Sequence, residues 1–134
     1  MSFDQIKKAL EEAGGEVEHA LKLLAKQGAS IAAKKSSRAT QEGIIECYVH
    51  ANKKVATMVA LLCETDFVAK NPIFTDLAHN IALHVAAMNP QDDDELLAQP
   101  FIKDQDVTVQ ELINQAIAKL GENIKIAYFY RHQI

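Results

Sequence analysis

The chain has 134 residues, enough for one domain with a small appendage, and its 49% hydrophobic and 24% charged content is the balance of a soluble globular protein. A net charge of −4 excludes a global basic field that would draw it to nucleic acid or an anionic membrane, and no apolar stretch is long enough for a transmembrane helix. The start, Met1 to Gln5, lacks the charged-then-apolar form of a signal peptide, and Cys47 and Cys63 make neither a CxxC motif nor a disulfide framework, so a cytoplasmic chain with reduced thiols is expected.

Residues 1–28 read as two short helices. Ser2 and Gln5 fit a capping box, Phe3, Ile6, Leu10 and Ala13 recur at helical spacing, and Gly14-Gly15 is the stop. Val17, Ala20, Leu21 and Leu24 give a second stripe, with Gly28 as its end. Such a pair holds too little apolar surface to fold alone. Residues 29–42, rich in small and basic side chains (Lys34, Lys35, Arg38), read as a solvated linker.

From Gly43 the period changes. Ile45, Cys47 and Val49 alternate with Ile44, Glu46 and Tyr48, and Val55 to Cys63 is continuously apolar, which predicts a hairpin whose second strand is the more buried. Ala51-Asn52-Lys53 supplies the turn, with Asn52 suited to positive φ. Thr65 and Asp66 are helix-opening residues, because a side-chain oxygen accepts orphan N–H groups and a carboxylate suits the positive helix end. Asn71-Pro72 stops that helix after one turn. The turn therefore carries an acid, a large aromatic and a lysine. Phe67 has two readings, a core residue or an exposed wedge; Asp66 and Lys70 resist burial and favour the wedge.

Ile73 to Met88 predicts a helix with Leu77, Ile81, Val85 and Met88 inward. His79 and His84 lie about 140° apart around it, the wrong spacing for two ligands of one metal, and read as surface or half-buried residues. Gln91 to Gln99 reads as an acidic, flexible connector without the glycine and ligand spacing of a calcium loop. Thr108 and Glu111 form a second capping box, opening a helix with Leu112, Ile113, Ala116, Ile117 and Leu120 on its apolar side and Gly121 at its end. Ile124 to Arg131 alternates and reads as a last strand. The expected class is α+β: a small helical N-terminal module, then an antiparallel sheet from residues 43–50, 54–63 and 123–131, with helices 73–88 and 108–120 covering one face. No phosphate loop, nucleophile elbow or metal-ligand set is present, so the residues point to a binding module rather than an enzyme.

Four stretches carry a family resemblance. Glu64-Thr65-Asp66-Phe67-Val68-Ala69-Lys70-Asn71 closely resembles the ETDFVA(K/R)(N/D) signature of the elongation factor Ts family. Lys7 to Glu18, Ala32-Ala33-Lys34-Lys35 with Ala39 to Ile44, and Lys119 to Ile126 with its Gly121-Glu122-Asn123-Ile124 resemble three further family motifs in the same order. The resemblance implies a nucleotide exchange factor that binds GDP-bound elongation factor Tu and promotes GDP release without a covalent step. It implies that Thr65, Asp66, Phe67, Val68, Ala69, Lys70 and Asn71 meet that partner beside its magnesium site, with the aromatic as a wedge. No cofactor, metal, nucleic acid or membrane is expected for the chain itself. Residues 1–28 would be a partial ubiquitin-associated-like module and 43–134 the core domain. Against the family pattern the chain is expected to be a short member lacking the module's first helix and the second core half, a lack that short members make good by dimerising. The alternative is a helical adaptor, ubiquitin-associated-like, with no exchange activity.

Overall fold

A computed structural model describes residues 3–12 and 17–134. The elements run α1 (Phe3–Glu12), α2 (Val17–Lys35), β1 (Glu42–Val49), β2 (Val55–Cys63), α3 (Asp66–Ala69), α4 (Pro72–Met88), α5 (Asp93–Ala98), β3 (Pro100–Phe101), β4 (Asp104–Thr108), α6 (Val109–Leu120) and β5 (Lys125–Gln133). The class is α+β, built on a three-stranded sheet of order β1-β2-β5 that is antiparallel throughout. β2 is its axis, and the apolar run that makes it unsuited to an edge is paired on both sides.

One face of the sheet is covered by α4, whose Phe74, Leu77, Ala78, Ile81, Ala82 and Val85 pack with Val59, Leu61 and Cys63 of β2. Each large side chain fully buried there contributes about 1.5–3 kcal/mol. Two polar contacts fix the helix against the sheet: the Thr57 hydroxyl donates to Ala82 O at 2.8 Å, and Arg131 Nε donates to Ala86 O at 3.1 Å. Met88, expected inward, is exposed at the end of α4, where Asn89 turns into the left-handed region at φ 46°. In β5 the register shifts opposite Ala60 and Leu61, which pair with Tyr128 and Ile126, so Ala127 is an extra residue. This bulge lets Ile126 and Phe129, three positions apart, both pack toward the core.

α6 lies behind α4 and along α2, with Ile113, Ala116 and Ile117 buried as expected. Its capping box is formed: Thr108 Oγ1 accepts from Glu111 N, and Glu111 Oε1 accepts from Thr108 N. α2 does not stop at Gly28 but continues to Lys35. Packing against α6 outweighs the roughly 1 kcal/mol that a helical glycine costs. The inward residues of α2 include Ala20, Gly28, Ile31 and Ala32, leaving Val17 and Leu21 exposed. The Ser2 cap, Ala13 and the Gly14-Gly15 stop lie outside the described residues, as do the side chains of Phe3 and Leu10.

The expected flexible connector, residues 91–99, is instead ordered. Asp92 caps α5 by accepting from Glu95 N at 2.8 Å, and Leu96 is buried in the main core. The short β3–β4 hairpin follows and buries Phe101. His84, expected at or near the surface, is 0% exposed beneath this segment. Its Nδ1 accepts from Ile102 N at 3.1 Å, which leaves the proton on Nε2 to donate to Gln99 Oε1 at 2.9 Å. At the β1–β2 turn it is Lys53, not Asn52, that takes positive φ, while Asn52 Oδ1 accepts from Lys54 N.

Candidate functional site

The segment from Cys63 to Ile73 leaves the central strand and enters α4 with almost no loop. Thr65, extended at φ −128°, ψ 158°, caps α3, its Oγ1 accepting from Val68 N at 3.4 Å. Ala69 N donates to Thr65 O and Lys70 N to Asp66 O, closing one helical turn. Asn71 both ends that turn and caps the next helix: its N–H donates to Val68 O, and its Oδ1 accepts from Ile73 N at 2.9 Å. Pro72 follows at the first helical position, where its missing N–H costs nothing.

A single turn must divide its residues between inside and outside. Val68 and Ala69, 9% and 7% exposed, join the core cluster and anchor the turn. Phe67 is thereby turned out, 85% exposed. Asp66 and Lys70 flank it on the outward side, their charges 3.8 Å apart across i,i+4. Phe67 is therefore not a core residue but a bare phenyl ring exposed between two charges. Of the seven residues singled out by sequence, Asp66, Phe67 and Lys70 offer accessible side chains, Thr65 and Asn71 work chiefly as caps, and Val68 and Ala69 face inward. Ile73, 43% exposed just beyond, adds apolar surface that the sequence reading did not flag.

Beneath the turn lies a polar junction that sequence reasoning missed. Gly121, at φ 76°, ends α6 in the left-handed region and directs Glu122 toward the end of β2. Glu122 Oε1 accepts from Glu64 N at 3.1 Å and Thr65 N at 3.0 Å, and Oε2 accepts from the Thr65 hydroxyl at 2.7 Å. Glu64 answers by accepting from Asn123 N at 2.6 Å and pairing with Arg38 at 3.6 Å. The Asn123 amide donates to Arg38 O at 2.9 Å and Ser36 O at 3.4 Å. No local signal marks this exchange, because Glu122 and Asn123 lie 57 or more positions from Glu64 and Thr65. The same surroundings act on Cys63, whose thiol is pushed up to about 11 by burial first and by the Glu122 charge second. Cys47, in contrast, is exposed.

Among the described residues no cluster of three or more His, Cys, Asp or Glu side chains is arranged to hold a metal ion, and no helix is long and apolar enough to cross a membrane.

Comparison with known proteins places these features in a family context. A family model described as Elongation factor TS matches residues 64–134, a span that starts at the turn and ends with β5. Elongation factor Ts of Thermosipho melanesiensis is 37% identical across 97% of this chain and 89% of its own length. That of Fervidobacterium nodosum is 38% identical across 96% and 88%, and that of Trichlorobacter lovleyi 47% identical across 92% of this chain and 40% of its own.

Proposed function

Because the chain belongs to the elongation factor Ts family of translation elongation factors, we propose that it binds GDP-bound elongation factor Tu in the cytoplasm and promotes GDP release. The observation that carries this reading is Phe67, held 85% exposed on a turn anchored by Val68 and Ala69. Phe67 enters the partner's nucleotide-binding domain beside its magnesium site, with Asp66 and Lys70 setting the orientation. No covalent step is needed. The partner state that grips this chain holds GDP and Mg²⁺ less well, and by linkage the reduction is reciprocal. The deciding experiment follows release of a fluorescent GDP analogue from elongation factor Tu. Release accelerated by the chain, with the acceleration lost in Phe67→Ala, supports the reading; no acceleration by the folded chain at a saturating concentration refutes it.

A second copy of the chain is the other proposed partner. The face of the sheet away from α4 exposes Ile45 and Val49 of β1, Met58 of β2, and Tyr128 and Tyr130 of β5. Registered side by side across three strands, these residues make a flat apolar surface suited to the same surface of another copy. Sedimentation at micromolar concentration should give a dimer that Tyr130→Glu dissociates; a monomer of about 15 kDa throughout would refute pairing.

A further inference from the structure

The Gly121-Glu122-Asn123 corner has no role in partner contact as described so far, yet it holds the contact turn from behind. One carboxylate, Glu122, satisfies the N–H groups of Glu64 and Thr65, the two residues at which the chain leaves β2. It also accepts the hydrogen bond that the Thr65 hydroxyl donates, leaving the Thr65 oxygen lone pairs to accept from Val68 N. The cap of α3 is thus oriented by Glu122, and without it that hydroxyl could rotate to serve water instead. We propose that Glu122 is a positioning residue for exchange: it fixes the direction in which Phe67 is presented to the partner, touching neither partner nor nucleotide itself. This rests on the reading of Phe67 as the contact residue.

The reciprocal bond from Asn123 N to Glu64 makes the clamp two-sided, and Asn123 extends it to the backbone of Ser36 and Arg38 just past α2. Glu64 has a further ion pair, half-exposed, to Arg38, whose loss solvent would largely mask. The three bonds to Glu122 are charge-assisted and partly buried, and they are the ones that reach Thr65 itself, the cap of α3.

The test uses the full chain in four forms: unaltered, Glu122→Ala, Phe67→Ala, and both together. In the free chain, Glu122→Ala should speed exchange of the Thr65 amide hydrogen about ten- to a hundredfold while Val59 and Ile81 stay protected. In the release assay it should lower the maximal rate about tenfold or more, with Glu122→Gln intermediate because its carbonyl oxygen still accepts the two N–H bonds. In the Phe67→Ala background, Glu122→Ala should cause no further loss, because a residue acting through Phe67 has nothing left to position. An additive loss, or an unchanged Thr65 amide, overturns the proposal. If Glu122→Ala does not fold, Glu122→Gln carries the same comparison. Full activity of Phe67→Ala would instead sink the contact reading itself, so the two failures are told apart by the Phe67 single variant.

Discussion

α3 and α5 are both very short helices opened by an oxygen-bearing cap, Thr65 in one and Asp92 in the other, and both carry acid in the first turn. Their largest apolar residues end in opposite places. Leu96 of α5 is 0% exposed in the core, whereas Phe67 of α3 stands free. Neither helix is long enough to be stable alone, so each exists because something anchors it. In α5 the anchor is the largest hydrophobe itself. In α3 the anchors are small or medium residues, Val68 and Ala69, together with the carboxylate of Glu122, which releases the phenylalanine for another use. In α5 the big side chain is part of the core, whereas in α3 it is left on the surface, where the proposed contact needs it.

The comparison breaks most visibly under truncation. Leu96→Ala should cost about 2–5 kcal/mol through lost burial and an incompletely closed cavity, lowering the melting temperature by more than about 8 °C. GDP release by the folded fraction should be little changed, as α5 is separate from the α3 turn. Phe67→Ala should do the reverse. Stability should stay within about 0.5 kcal/mol of the unaltered chain, as for an exposed substitution, while exchange falls about 30- to 1,000-fold, the worth of an aromatic anchor of about 2–4 kcal/mol. A melting temperature lowered by more than about 10 °C in Phe67→Ala, with exchange intact, would mean that the two helices are alike after all.

The same pair shows what was legible in the sequence. The Thr65–Asn71 turn could be read because its signals are local: a cap, a proline, and charges on either side of one aromatic. The hairpin, α4, the Thr108–Glu111 cap and the alternation of β5 were equally local. The ordering of residues 91–108 was not, because it depends on Leu96 joining the core and on Phe101 and Ile102 meeting His84 of α4, 17 and 18 positions upstream of them. A run of three aspartates therefore looked like a solvated loop. The continuation of α2 past Gly28 depends in the same way on α6, and the Glu122 contacts on two motifs distant in the chain.

His84 gives a smaller handle on the α5 side. Burial lowers its pKa below the ordinary 6.5, against a partial opposing effect of the Gln99 hydrogen bond. The sign follows directly. The folded state binds the proton less well than the unfolded one, so the stabilisation is complete above about 6.5 and is lost as pH falls from there through the folded value. A proton on Nδ1 would also face the Ile102 N–H and break that bond. Between pH about 7 and 5, stability should fall with a slope of at most about 1.4 kcal/mol per pH unit from this residue, and His84→Gln should flatten it. An equal slope in His84→Gln would assign the acid sensitivity elsewhere.

The smallest expected effect concerns the charges beside Phe67. Asp66 and Lys70 are 3.8 Å apart with side chains 58% and 82% exposed, so water and salt screen them. As an i,i+4 pair on a helix of one turn they should contribute about 0.3–0.5 kcal/mol or less to folding. Asp66→Ala should therefore shift the melting temperature by no more than about 2 °C. Its effect on GDP release should run in the same direction as that of Phe67→Ala but be weaker, because a charge at the rim of a contact guides encounter more than it holds the complex. Salt distinguishes guidance from packing. Raising ionic strength from about 0.05 to 0.5 M, which shortens the screening length several-fold, should slow association of the unaltered chain more than that of Asp66→Ala. Equal salt sensitivity in both would mean that Asp66 only opens the helix. In that case the outward side of α3 would be reduced to Phe67 with Lys70, and Lys70→Ala would be the variant to show which charge the partner meets.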